Sequence, residues 1–339
     1  MTESITTLRP VQVAARSILA AERILAVTHV SPDGDAIGSL VGLGYITAFL
    51  GKDTRLFCET PLPQHLNWLD SPSPVLSSLD ELGGWVPDLV VFLDCADDKR
   101  AGTAISLFIQ SCEEKEKLQT LCIDHHLANP LFADVNWVDA TMSATGIMVA
   151  LLAKEFDLSL KEGLGEAICL AIISDTGSFT YANTNALALE LTAEIVRNGL
   201  PMAEFITKYE NNWTLGRMQL WGELMKGIRV LCNGKVAFSV VTDEILARYN
   251  APRTDLEGYA SWLRRLANTK VVLLVRPKRE GSKVSLRSMG DIDVHKIASE
   301  FGGGGHKGAA GIDMPDQPHD AARKVLEGIC RALGESCSQ

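Results

Sequence analysis

Aspartate and histidine gather at four places in this 339-residue chain, each at or just past the end of an apolar run. His29-Val-Ser-Pro-Asp33-Gly-Asp35 follows Ile-Leu-Ala-Val-Thr, and Asp94 closes Leu-Val-Val-Phe-Leu-Asp. Asp124-His125-His126 closes Leu-Cys-Ile-Asp-His-His, and Asp175 closes Ala-Ile-Cys-Leu-Ala-Ile-Ile-Ser-Asp. Singly, each has an ordinary explanation. Asp35 would cap a helix starting at Ala36, Pro32-Asp33-Gly34 would make a turn, and a lone Asp after a strand is common loop chemistry. Together, so many carboxylates aimed at one place would repel one another without a counter-charge. A metal is the natural one. Carboxylate oxygen mixed with imidazole nitrogen, and no thiolate, suits manganese, magnesium, iron or zinc. Six such ligands exceed what one catalytic ion uses while keeping a position for water. Two ions about 3.5 to 4 Å apart, bridged by one carboxylate, match the count and suit hydrolysis of a phosphate ester.

The elements that must converge these groups are legible in the hydropathy pattern. Short β-branched runs at 23–28, 54–58, 89–93, 118–123 and 134–138 alternate with helical patterns at 36–50, 144–156, 164–173 and 186–198. That alternation predicts a parallel sheet with crossover helices, an α/β domain over residues 10–195. In such sheets ligands bind outside the carboxyl ends of the strands, where these Asp and His residues fall. Residues 196–226 are polar and without strand signal, and read as a helical linker. Strand patterns at 227–231, 235–241, 271–276 and 283–287, with helices near 258–267, 294–301 and 321–333, predict a smaller α+β domain over 227–335. A cleft between the two domains is the expected active site.

Composition narrows the class. Hydrophobic residues make up 46% and charged residues 22%, the values of an ordinary globular protein. No apolar run approaches the roughly 20 residues of a membrane helix, and no secretory signal pattern precedes Pro10, so a cytoplasmic protein with no membrane partner is expected. Eight cysteines without Cys-x-x-Cys pairs read as reduced core residues rather than a zinc site or disulfide framework. A net charge of −10 argues against binding long DNA. Charge is uneven, however: eight Lys or Arg lie between Arg264 and Arg287 against the single acid Glu280. That stretch is either the solvated face of a strand pair or an anion-binding surface.

The order His-x-x-x-Asp-x-Asp, strand-ending Asp, Asp-His-His and Ser-Asp-Thr-Gly resembles the four motifs of DHH phosphoesterases. Gly302-Gly-Gly-Gly-Gly-His306-Lys-Gly-Ala-Ala-Gly311 resembles the glycine-rich signature of their DHH-associated C-terminal domain. Length and domain order most resemble the small bacterial members of oligoribonuclease (nanoRNase)/pAp phosphatase type. Family II pyrophosphatases share the first domain and end differently. The resemblance implies one ion, most often Mn2+, with Mg2+ or another divalent cation as substitutes, on His29, Asp33 and Asp94. It implies a second on Asp35, Asp94, His125 and Asp175. Asp124 would then orient a histidine, and His126 would serve the substrate phosphate as donor or acid. Gly303, Gly304, Gly305 and His306, with Arg287, would hold substrate in the second domain.

The activity so implied is two-metal hydrolysis of short oligoribonucleotides (nanoRNA) or of 3′-phosphoadenosine 5′-phosphate, without a covalent intermediate. The alternative is a phosphodiesterase for cyclic dinucleotides or their linear products, since the same centre would serve. A nucleotide-binding regulator without turnover is disfavoured by the intact ligand set. A tRNA-editing role, suggested by the related domain of alanyl-tRNA synthetase, is disfavoured by the upstream motifs. Short RNA or nucleotide is the expected partner, and a homodimer stands open.

Overall fold

The computed structural model describes residues 8–113, 118–211 and 213–335, which form two compact units, residues 1–212 and 213–339. The first unit carries strands β1 (Arg23–Thr28), β2 (Asp53–Phe57), β3 (Val75–Leu76), β4 (Leu89–Leu93), β5 (Gln119–Asp124) and β6 (Val135–Val138). They form one parallel sheet in the order β3-β2-β1-β4-β5-β6. The strands read as continuous apolar runs because both faces are covered. Ile24, Ala26, Leu89, Val91, Leu121 and Ile123 enter one core. Leu25, Val27, Val90, Phe92 and Cys122 enter another on the opposite face. The strand order reverses between β1 and β4, so the crevice that such sheets use for ligands opens at the ends of these two strands.

Helices α1 (Pro10–Ala20), α2 (Gly34–Phe49), α3 (Thr103–Glu113), α4 (Thr145–Glu155), α5 (Glu162–Asp175), α6 (Ala186–Arg197) and α7 (Met202–Glu210) complete this unit. Helix α2 is buried almost all round, and glycines let it lie close against α5: a Cβ on Gly38 would stand 2.4 Å from the Ala167 carbonyl oxygen. Because the obstacle is backbone, Gly38→Ala should push the two helices apart. The loss is expected to exceed the propensity gain of alanine and to cost about 1 to 3 kcal/mol, a lower Tm by calorimetry. An unchanged or higher Tm would show that this helix pair tolerates separation.

The second unit holds α8 (Leu215–Lys226), β7 (Arg229–Leu231), β8 (Val236–Val240), α9 (Asp243–Arg248), α10 (Tyr259–Leu263), β9 (Val271–Pro277), β10 (Ser282–Ser288), α11 (Val294–Ser299), β11 (Gly304–His306), β12 (Ala309–Met314) and α12 (Pro318–Leu333). Its mixed sheet runs β11-β12-β10-β9-β8-β7. One face packs on α11 and α12 through Val275, Leu286 and Ile329, and the other packs on α8 and α10 through Leu274, Trp221 and Tyr259.

The α/β and α+β architectures are as the hydropathy pattern predicts. The stretch 196–226 is helical, but its helices divide between the units: α7 buries Phe205 in the first core and α8 buries Leu220 and Trp221 in the second. Strand β3, of two residues, is too short to carry a period. Within the glycine-rich run, Gly304–His306 form β11 and pair with β12 in a hairpin. Among the cysteines, Cys58, Cys95, Cys112, Cys122, Cys169 and Cys232 are buried free thiols. Cys330 departs from the expectation of reduced cysteines, its sulfur being disulfide-bonded. No described helix is long and apolar enough to cross a membrane.

Candidate metal centre

His29 follows β1, Asp94 follows β4 and Asp124 ends β5, so three neighbouring strands deliver their acid or imidazole at the same edge. Asp33 and Asp35 reach it from the start of α2, and Asp175 from the last turn of α5. The cap of α2 is Asp33, not Asp35: its Oδ1 accepts from the backbone N–H groups of Asp35 and Ala36, both at 3.1 Å. Asp35 is thereby left fully buried and turned to another use. Its Oδ2 accepts from Thr145 N at 2.7 Å, its Oδ1 from Gly146 N at 2.8 Å and from Ser39 Oγ at 3.1 Å. Ala144, at the cap position of α4, offers no side-chain acceptor, so Asp35 satisfies that helix terminus from across the fold.

Asp94 is the hub. Its Oδ2 lies 3.5 Å from His29 Nε2, while its Oδ1 lies 3.6 Å from His125 Nε2 and accepts from Thr145 Oγ1 at 3.1 Å. Its backbone is left-handed, at φ 58°, a conformation that Asp tolerates. His125 Nε2 is also 3.2 Å from Asp175 Oδ2 and 3.7 Å from Asp35 Oδ2. His29 and His125 each place Nδ1 at 3.1 Å from a backbone carbonyl, of Val30 and Met142 respectively. With Nδ1–H donating there, Nε2 is the free lone pair of both rings, the tautomer a metal ligand needs.

His126 differs. Its Nδ1 sits 2.7 Å from Asp124 Oδ1, and Asp124 Oδ2 accepts from Asn129 Nδ2 at 2.7 Å, so the carboxylate is pinned and in turn pins the ring. Asn129 also donates to the Cys95 carbonyl, tying this pair to the segment after Asp94.

Electrostatics describes a site short of positive charge. Burial and the charges of Asp94 and Asp175 hold the Asp35 carboxyl well above its ordinary range. Burial, with Asp33 and Asp94, pushes Asp175 up to about 6. Burial pulls His125 down, yet its contact with Asp175 and the charges of Asp94 and Asp35 prevail and push it up to about 11. Asp94, despite burial, falls to about 2 because His29, His125 and His126 surround it. Protons on imidazoles thus stand in for cations, and cations taking their place would release them.

The donor atoms fit that replacement. His29, Asp33 and Asp94 bring one ligand atom each within 4.8 Å of one another; so do Asp35, His125 and Asp175, and so do Asp94, His125 and His126. These groups bring together seven of the eight first-unit site residues expected from the sequence, and Asp124 joins them through His126. Pattern reading missed Ser39, Asn129 and Thr145, whose polar side chains sit in or beside apolar runs and show their use only through contacts 110 residues or fewer away in sequence.

In the second unit, backbone register sets His306 opposite Ala309 and Ala309 opposite Arg287, one row across β11, β12 and β10. The side chain of His306 lies outside the described residues; Arg287 is half-buried and donates to the Leu286 carbonyl. Gly303 and Gly305 are glycine because β12 lies against them: an added Cβ would meet the Gly311 and Ala309 carbonyl oxygens at 2.3 and 2.4 Å. Gly304, by contrast, faces open space. Of the basic stretch, Lys278 and Lys283 are bridged to Asp313.

Comparison with known proteins agrees with this geometry. Residues 23–172 match the model of the DHH family, N-terminal domain, and residues 233–334 that of the DHHA1 domain. The chain is 28% identical over 312 residues to the bifunctional oligoribonuclease and PAP phosphatase NrnA of Thermus thermophilus, covering 91% of this chain and 90% of that protein. It is 25% identical over 328 residues to the protein of the same name from Bacillus subtilis, covering 93% and 97%. The crystal structure of an exopolyphosphatase-related protein from Bacteroides fragilis superposes with a TM-score of 0.85 at 25% identity, covering 98% of each chain. With its Asp and His clusters at the edge of the parallel sheet and both domain models matched in order, this chain belongs to the DHH family of phosphoesterases.

Proposed function

We propose that this phosphoesterase uses two divalent cations, manganese foremost, to hydrolyse short oligoribonucleotides and 3′-phosphoadenosine 5′-phosphate. The observation that carries the two-cation reading is the disposition of Asp94, one oxygen toward His29 and the other toward His125. His29, Asp33 and Asp94 would hold one ion; Asp35, Asp94, His125 and Asp175 the other. Bound there, the cations supply the charge that lowers the pKa of an attacking water and offsets charge on the phosphoryl oxygens. His126, held by Asp124, keeps its second ring nitrogen for the substrate and gives a proton to the leaving oxygen. The substrates follow from the relatives named above, which span the same length. The net charge of −10 supports short substrates over long DNA.

The row His306, Ala309 and Arg287 is the part of the second unit we assign to the distal nucleotide. A panel with manganese tests the whole reading: 3′-phosphoadenosine 5′-phosphate, 5′-phosphorylated di- to pentanucleotides, a linear diguanylate, pyrophosphate and bis-p-nitrophenyl phosphate. The first two classes should dominate, with activity falling as RNA lengthens. Arg287→Ala should lower kcat/KM on dinucleotides by roughly tenfold to a hundredfold, the worth of a charged phosphate contact, and spare the generic ester. Equal losses on both would remove substrate holding from this row; preference for pyrophosphate or linear diguanylate would replace the proposed substrates.

A further inference from the structure

We propose that the second unit carries another small-molecule site, separate from the glycine-rich hairpin, that takes a nucleoside monophosphate. The sheet's last two strands, β8 and β7, line with α12 a cavity of about 570 Å3, within the range that holds a small ligand. Its floor is apolar: Leu231 of β7 with Phe238 and Val240 of β8, alternate residues that share one face. One wall is a single stripe of α12, where Ala322 and Leu326 continue that surface. A large apolar floor left open next to a packed core is an expected place for a ring system.

The rim specifies the charge of the occupant. Arg229, His319 and Arg323 stand around the apolar floor, with Glu327 as the one acid among the lining residues. Arg229 is exposed and has no acidic partner among the described residues, whereas Arg323 bridges Asp320 at 3.1 Å. Arg229 and Phe238 are direct cross-strand partners, so a cation and an aromatic ring stand side by side on one face. That pairing suits a phosphate joined to a flat, apolar body. Glu327 and Thr242 add an acceptor and a hydroxyl for ribose or an exocyclic amine. A nucleoside monophosphate combines these features.

Photolabelling of the full-length protein with 8-azido-AMP, in EDTA to empty the metal centre, tests the site. Peptide mapping should find label within residues 229–242 or 319–327, displaced by AMP and far less by adenosine. Arg229→Glu should cut that labelling about tenfold while leaving Tm and bis-p-nitrophenyl phosphate hydrolysis unchanged, as expected for a lost charged contact at an exposed position. Arg323→Glu should do the same in an independent background. Label found only within residues 29–35, 124–126 or 303–311, no label, or full labelling of both variants would overturn the proposal.

Discussion

Asp94→Ala is expected to remove hydrolysis of every substrate, including the generic ester, by roughly a hundredfold or more with manganese saturating. The reason is geometric: among the described residues Asp94 alone pairs with both His29 and His125, so its loss breaks both proposed ion sites at once. Calorimetric titration should show manganese affinity falling in parallel. The fold should survive at a somewhat lower Tm, because the loss of Asp94 as partner of His29, His125, His126 and Thr145 is partly offset by relief of its repulsion of Asp35. Asp94→Asn, which keeps the tolerance for a left-handed backbone, separates loss of charge from loss of conformation and should be nearly as inactive. Turnover of either variant above a few per cent of wild type, roughly, would end the bridging assignment.

His126→Ala should behave differently, and the contrast is the informative part. Because its Nδ1 is engaged by Asp124, the ring is assigned to the substrate, so metal content should stay near that of the wild type while kcat falls by roughly 10²-fold. Asp124→Asn, which frees the ring without removing it, should cost about 10- to 100-fold, the usual effect of losing an orienting carboxylate. A leaving group of low pKa needs no protonation, so bis-p-nitrophenyl phosphate should be the substrate least affected by His126→Ala. If the variant instead loses bound manganese, His126 is a ligand, as its grouping with Asp94 and His125 would allow.

The ligand types and their order were readable from the chain because each sits where an apolar run stops, and a parallel sheet brings such stops to one edge. The architecture followed from the same periodicity, down to the strands at 23–28 and 89–93. Which aspartate does what was another matter. Asp33 and Asp35 are equivalent as sequence, and only the fold makes one the cap of α2 and the other a buried acceptor for the start of α4, some 110 residues on. The left-handed turn at Asp94 leaves no compositional trace, since it is imposed by the strand end and by the groups around it. The glycine run shows where local signals stop: glycine favours no strand, yet Gly304 and Gly305 form β11, and a side chain at Gly305 would meet β12. Sequence therefore determined the kinds of atoms available for chemistry. Tertiary contact decided their hydrogen-bond partners, their protonation and the row that aligns His306 with Arg287, because each depends on residues far apart in the chain meeting at a few ångströms.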